Sequence, residues 1–157
     1  MHIVLVEPEI PANTGNIVRT CAATASVLHL IRPLGFSTDD KYLKRAGLDY
    51  WYLVKIFYYD SFASLKEKYP LSTFYYVTTK AARQHCEVCY GPDDFLVFGK
   101  ETKGLPEGLL QANSEHCVRI PMVSDARSLN LANSVAIVLY EALRQQSFIG
   151  LNSAGSI

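Results

Sequence analysis

The chain predicts an α/β fold, a parallel β-sheet flanked by helices, on three observations. Short apolar, β-rich runs alternate with helix-like stretches from one end to the other. Several of those runs carry no polar position, as in strands covered on both faces. Polar loops at 7–19, 98–106 and 120–134 each follow such a run, where a site forms in parallel sheets, at the carboxyl ends of the strands.

In order, residues 3–6 read as a short buried strand, after which Pro8 and Pro11 force a non-helical connection. Asn13 or Thr14 is placed to cap a helix beginning near Gly15, with Ile17, Val18, Cys21 and Ala22 at helical spacing. Residues 27–31 form a second strand, closed by Pro33 and Gly35. The stretch 38–46 has a helix-start signature, with Gly47 as its stop. Strands follow at 53–58, 73–78, 95–98 and 117–120, and short helices at 61–68 and 106–112. The last element is a helix over 131–145, apolar at Val135, Ala136, Val138, Leu139, Ala142 and Leu143. So much apolar surface suits either a core helix or a helix packed on a second copy of the chain. Past Gln146 the pattern fades, and 147–157 is expected to be a loosely ordered tail of a single domain covering 1–157.

Composition narrows the function. With 49% hydrophobic and 19% charged residues, 157 residues describe an ordinary globular domain. Formal net charge is zero, so a polyanionic partner must be met by a local patch or by one built from two subunits. Of the four cysteines, Cys86 and Cys89 form a lone C-x-x-C without the companion ligands of a metal set, and no metal is expected. The segment Met1–Glu7 has neither a basic leader nor a long apolar run, so a cytoplasmic protein without a membrane partner is expected. No G-x-G-x-x-G or P-loop occurs, and Ser128 lies in no nucleophile elbow.

The polar loops carry the chemistry. Ser124, Asp125, Ser128 and Asn130 precede the closing helix, a setting suited to a polar small molecule. Gly99 follows a strand and Gly104 closes a tight loop, either to admit a ligand near the backbone or as a plain turn with Glu101 solvated. Asn16 and Arg19, three apart, share a helix face, and Arg19 is either a solvated surface residue or a phosphate-gripping group. The aromatic stretches Tyr50-Trp51-Tyr52 and Phe57-Tyr58-Tyr59 either stack bases or pack in the core.

Four stretches taken together, P-E-I-P-x-N-T-G-N-I-x-R, L-x-R-A-G-L-D-Y-W, F-G-x-E-T-x-G-L-P and I-P-M-x-x-x-x-R-S-L-N-L-x-N-S, resemble the SPOUT methyltransferases, most of all their short TrmL type. The resemblance runs from about Ile3 to Gln146. It implies a carboxyl-terminal part threaded into a deep trefoil knot, against the usual rule. It also implies a homodimer that moves a methyl group from S-adenosylmethionine to the ribose 2′-hydroxyl of cytidine or uridine 34 in leucine tRNAs. By position, Val77, Thr78, Gly99, Glu101, Ile120, Met122, Ser128 and Leu129 would line the cofactor pocket, with backbone groups of Val77, Gly99 and Ile120 toward adenine and ribose. Arg19 would be the catalytic residue. Asn13, Asn16, Asn130 and Tyr140 would stand on the substrate side, and Lys41, Lys44, Arg45 and Lys103 would meet phosphates of the tRNA anticodon stem-loop. Lys100 and Ala132 depart from the pattern, and neither removes a group the chemistry needs. Two other readings stay open, a 2′-O-methyltransferase for another tRNA position or ribosomal RNA, and a non-catalytic RNA-binding protein.

Overall fold

The computed structural model describes residues 1–37, 50–152 and 154–155. The helix expected over 38–46, with Lys41, Lys44 and Arg45, lies outside the described residues.

Seven strands form one sheet in which every pairing is parallel: β1 (His2–Val6), β2 (Val27–Ile31), β3 (Ile56–Tyr59), β4 (Phe74–Val77), β5 (Arg83–Gln84), β6 (Phe95–Phe98) and β7 (Cys117–Arg119). Their spatial order is β3-β2-β1-β6-β4-β7-β5. Register sets the site. Leu5 pairs with Phe98, Phe98 with Val77, and Val77 with Val118, so β1, β6, β4 and β7 end almost level and release their loops along one edge.

The described helices are α1 (Pro11–Ala23), α2 (Phe62–Lys68), α3 (Glu107–Gln111) and α4 (Leu131–Gln145), with a 3-10 turn at Ser114–His116. Strand alternation divides the core. Ile3, Leu5, Leu28, Leu30, Leu96 and Phe98 meet Ile17, Val18 and Cys21 of α1 and Val135, Val138 and Leu139 of α4. On the opposite face Val4, Val6, Phe95 and Val97 meet Leu65 of α2 and Leu110 of α3. Strands such as Ile3 to Val6 are therefore apolar at consecutive positions because both faces are covered. Among the described residues no helix is long and apolar enough to cross a membrane.

The helix expected from Gly15 starts at Pro11 instead, and Asn13 and Thr14 are buried inside it rather than capping it. Proline is well suited to a first helical position, because its missing N–H would have no intrahelical partner there. β3 begins at Ile56, later than the apolar run at 53 implies, because Leu53 and Val54 turn back onto the carbonyls of Tyr50 and Trp51. β5 and the 3-10 turn are too short to leave a periodic signal. Within the stretch expected as a loose tail, Phe148 and Leu151 pack against the core.

One polar pair is built into this core. His29 has no solvent exposure, and His2 Nδ1 lies 2.9 Å from its Nε2, while Phe57 stacks against its ring and Phe95 packs tilted to it. Burial, then the charges of His2 and Lys68, lower its pKa to about 3. A depressed histidine pKa means that the unfolded chain takes up a proton below about 6.5 that the folded chain refuses. Stability should therefore fall as pH drops from about 6.5 toward 3, by at most roughly 1.4 kcal/mol per pH unit for this one proton. Denaturant midpoints of the wild type and His29→Phe between pH 7.5 and 4.5 check this, the variant showing the shallower decline.

Candidate active site

The level strand ends open into a cavity of about 600 Å³, within the range of small-molecule sites. Its apolar walls include Val77, Phe98, Leu105, Leu110, Ile120 and Leu131, and its polar rim includes Thr78, Lys80, Lys103, Arg127, Ser128 and Ser134. An amphiphilic ligand with a flat apolar part and a polar end suits such a lining.

A short network holds the walls together, centred on Glu101 in the loop after β6. The first turn of α1 contains no acidic residue, and its N-cap, Ile10, offers no side-chain acceptor. Asn13 N and Thr14 N turn back to the Ile10 carbonyl, and the N–H groups of Glu9 and Ile10, just ahead of the helix, need acceptors from elsewhere. Glu101 provides them: Oε2 accepts from Glu9 N at 2.8 Å, and Oε1 accepts from Ile10 N at 3.2 Å and from Asn13 Nδ2 at 2.9 Å. A carboxylate at the positive end of a helix also gains from the helix dipole. The loops are joined twice more. Thr102 donates from its hydroxyl and its backbone N–H to Glu9, holding that carboxyl below its ordinary range, and Lys100 is ion-paired with Glu7, which raises the lysine.

The third loop is tied in through Asn13. Asn130 Nδ2 donates to Asn13 Oδ1 at 2.9 Å, while Asn130 Oδ1 caps α4 by accepting from Ala132 N and Asn133 N at 2.9 and 3.3 Å. Asn13 thus links Glu101 to Asn130, and all three line the cavity. Close backbone packing shapes the same wall: a Cβ at Gly99 would lie 2.1 Å from the carbonyl carbon of Gly104, itself at φ +68. Any side chain at position 99 would push the 100–104 turn out of place.

Val77, Thr78, Gly99, Glu101, Ile120, Met122, Ser128 and Leu129 all line this one cavity, together with Asn13, Asn130 and Lys103. The solvated Glu101 of a plain turn is not what the structure contains. Asn16 and Arg19 are exposed on α1 and do not line the cavity. The Arg19 guanidinium lies over the Tyr50 ring, 5.0 Å from its centroid. Tyr140 faces a separate hollow with Ala22, Ala23 and Phe148. Sequence reasoning missed Lys80 and Arg127 on the rim. The strand-end rule pointed to Lys80, two residues past Thr78, and the arginine of R-S-L-N to Arg127. Among the described residues no group of three or more His, Cys, Asp or Glu gathers as a metal site.

The model of the SpoU rRNA Methylase family matches residues 1–140. The chain belongs to that family. A Listeria innocua relative is 62% identical over 150 residues, spanning 94% of this chain and 89% of its own. The tRNA (cytidine(34)-2′-O)-methyltransferase of Escherichia coli is 47% identical over 151 residues, 96% of each chain. A solved structure described as giving insights into 2-OH methylation of C/U34 on tRNA superposes with a TM-score of 0.89 at 44% identity, covering 93% of this chain and 95% of that one. The SpoU methyltransferase AviRb from Streptomyces viridochromogenes, 21% identical with a TM-score of 0.84 over 93% of this chain and 59% of its own, shares the fold.

Replacing Glu101 by alanine strands two backbone N–H groups and the Asn13 amide, and should lower stability by about 1–3 kcal/mol. Glu101→Gln, which keeps one acceptor oxygen, should lose less. Chemical denaturation of both variants checks the order, and equal stability of Glu101→Ala and the wild type would remove Glu101 from this role.

Proposed function

We propose that the chain transfers a methyl group from S-adenosylmethionine to the ribose 2′-hydroxyl of the wobble nucleotide, cytidine or uridine 34, of leucine tRNAs, as a cytoplasmic homodimer. The observation that carries this reading is that the eight residues assigned to the cofactor by resemblance line one cavity of suitable size and lining. Relatives at 47% identity over nearly the whole chain, named for that reaction, support it.

The residues present fit the cofactor. Apolar walls at Val77, Phe98 and Ile120 suit an adenine ring, and Ser128, Asn130 and Ser134 offer polar groups toward an amino-acid end. When bound, S-adenosylmethionine supplies an electrophilic sulfonium methyl. The chain's own task is to hold a poorly nucleophilic hydroxyl in line and to stabilise the charge that develops on it. Arg19 does this with a tRNA phosphate, orienting the hydroxyl while a phosphate oxygen takes the proton. A guanidinium stays charged at working pH and is a poor base but a good electrostatic partner.

Since Arg19 stands outside the cavity of its own chain, the proposed site is completed by a second copy. Two exposed stripes support that arrangement: Ala12, Asn16, Arg19 and Ala23 on α1, and Asn133, Ile137, Tyr140 and Arg144 on α4. Ile137 and Tyr140 leave apolar surface open on the outer side of a helix whose other face is buried. Asn16 and Tyr140 then stand on the substrate side, and Lys103, with Lys41, Lys44 and Arg45, meets phosphates of the anticodon stem-loop. A deep trefoil knot in the carboxyl-terminal part of the chain belongs to the same proposal.

Labelled S-adenosylmethionine and tRNA lacking the modification should yield label in 2′-O-methylcytidine or 2′-O-methyluridine at position 34. Label only in ribosomal RNA or at another tRNA position would redirect the substrate. Cofactor binding with no transfer to any RNA would leave a binding protein. Arg19→Ala should cut kcat by about 100-fold or more while S-adenosylmethionine binding is kept. Full turnover by that variant would overturn the assignment of Arg19.

A further inference from the structure

We infer that Tyr50 is a positioning residue for the proposed reaction: its ring holds the Arg19 guanidinium in place through its π face, a contact that itself uses none of the N–H donors needed for RNA. This rests on the reading of Arg19 given above. The Arg19 Cζ lies over the Tyr50 ring, 5.0 Å from the centroid, inside the range of a cation–π contact. The ring itself is anchored. Tyr50 is half-buried and packs, with Trp51, against the core cluster that contains Ile17, Val18 and Cys21 on the inner face of α1. The helix that presents Arg19 outward thus contributes its inner face to the cluster on which the ring rests.

How the guanidinium is held decides what it can do next. Arg144 donates from Nε and Nη2 to Glu141 at 2.8 and 2.9 Å, so two of its donors are committed within the chain. Arg32 also lies over a ring, that of Tyr58, but donates from Nη1 to Asp60 at 2.9 Å. Among the described residues Arg19 has no such carboxylate partner, and the ring is what it meets. An aromatic face attracts a cation through its quadrupole and uses no N–H group. A guanidinium has five N–H donors arranged in its plane, suited to gripping a phosphate in a forked pair. An exposed arginine without a restraint spreads over many rotamers, and each RNA encounter must then select one of them. The ring reduces that spread before RNA arrives. It also gives a role to the tyrosine of L-x-R-A-G-L-D-Y-W, which carried the resemblance without one.

The test uses the full chain. Tyr50→Phe retains the π face and should keep kcat with tRNA within about twofold, whereas Tyr50→Leu keeps apolar volume without the face and should lower kcat about fivefold, with S-adenosylmethionine Kd unchanged. In an Arg19→Ala background Tyr50→Leu should cause no further loss, since nothing remains to be positioned; losses that multiply there would mark Tyr50 as mere packing and overturn the proposal. Wild-type kcat in Tyr50→Leu would overturn it as well. Should Tyr50→Leu fail to fold, Tyr50→Met makes the same comparison. The hold is also read without catalysis, from the order of the Arg19 Nε–Hε group by NMR: unchanged in Tyr50→Phe, lower in Tyr50→Leu. Loss of that order together with full turnover in Arg19→Ala would sink the reading of Arg19 and leave the contact standing, whereas unchanged order in Tyr50→Leu would sink the contact itself.

Discussion

The carboxylate of Glu101 accepts from the backbone N–H groups of Glu9 and Ile10 at the entrance to α1, and the geometry of the cavity depends on that one exchange. A helix start is positively polarised and has N–H groups without partners. Drawing the cap from another loop makes the start of α1 and the 99–104 turn a single body. Asn13 extends it to Asn130 and so to the start of α4. The three loops are aligned by a few hydrogen bonds between side chains and helix ends rather than by a large apolar contact.

The sheet makes so small a network sufficient. Because β1, β6, β4 and β7 end level, their loops emerge within reach of one another before any side chain acts. Helices on both faces bury the strands and leave the carboxyl edge as the place where backbone is accessible. Gly99 then permits the 100–104 turn to fold back onto the strand end, which narrows the cavity from one side.

Most strands, and the helix over 131–145, were legible because burial on both faces or on a wide stripe leaves a local pattern. The start of α1 was not. A cap borrowed from Glu101, some 90 positions away, writes nothing into the residues at the helix start, so Asn13 and Thr14 looked like caps and are instead buried. The strand order was likewise beyond local reading, since β1 finds a neighbour in β6 across most of the chain. The cavity residues came from motifs whose chemistry suits the ends of strands, whereas spacing alone could not say that Arg19 would stand away from that cavity. Lys80 and Arg127 were passed over because a lone exposed cation looks the same in sequence whether or not a cavity opens beside it.

The hydrogen bond between Asn13 and Asn130 joins positions separated by 117 residues. Its consequence concerns synthesis. The first helix leaves the ribosome long before the partner that orients its entrance, and contacts so distant in sequence form late and slowly. The walls of the cavity run from Ile10 to Ser134. A nascent chain stopped just before α4 holds every strand but lacks Leu131 and Ser134 of the cavity wall and the helix N–H groups that Asn130 caps, so the cavity is finished only once α4 has been made.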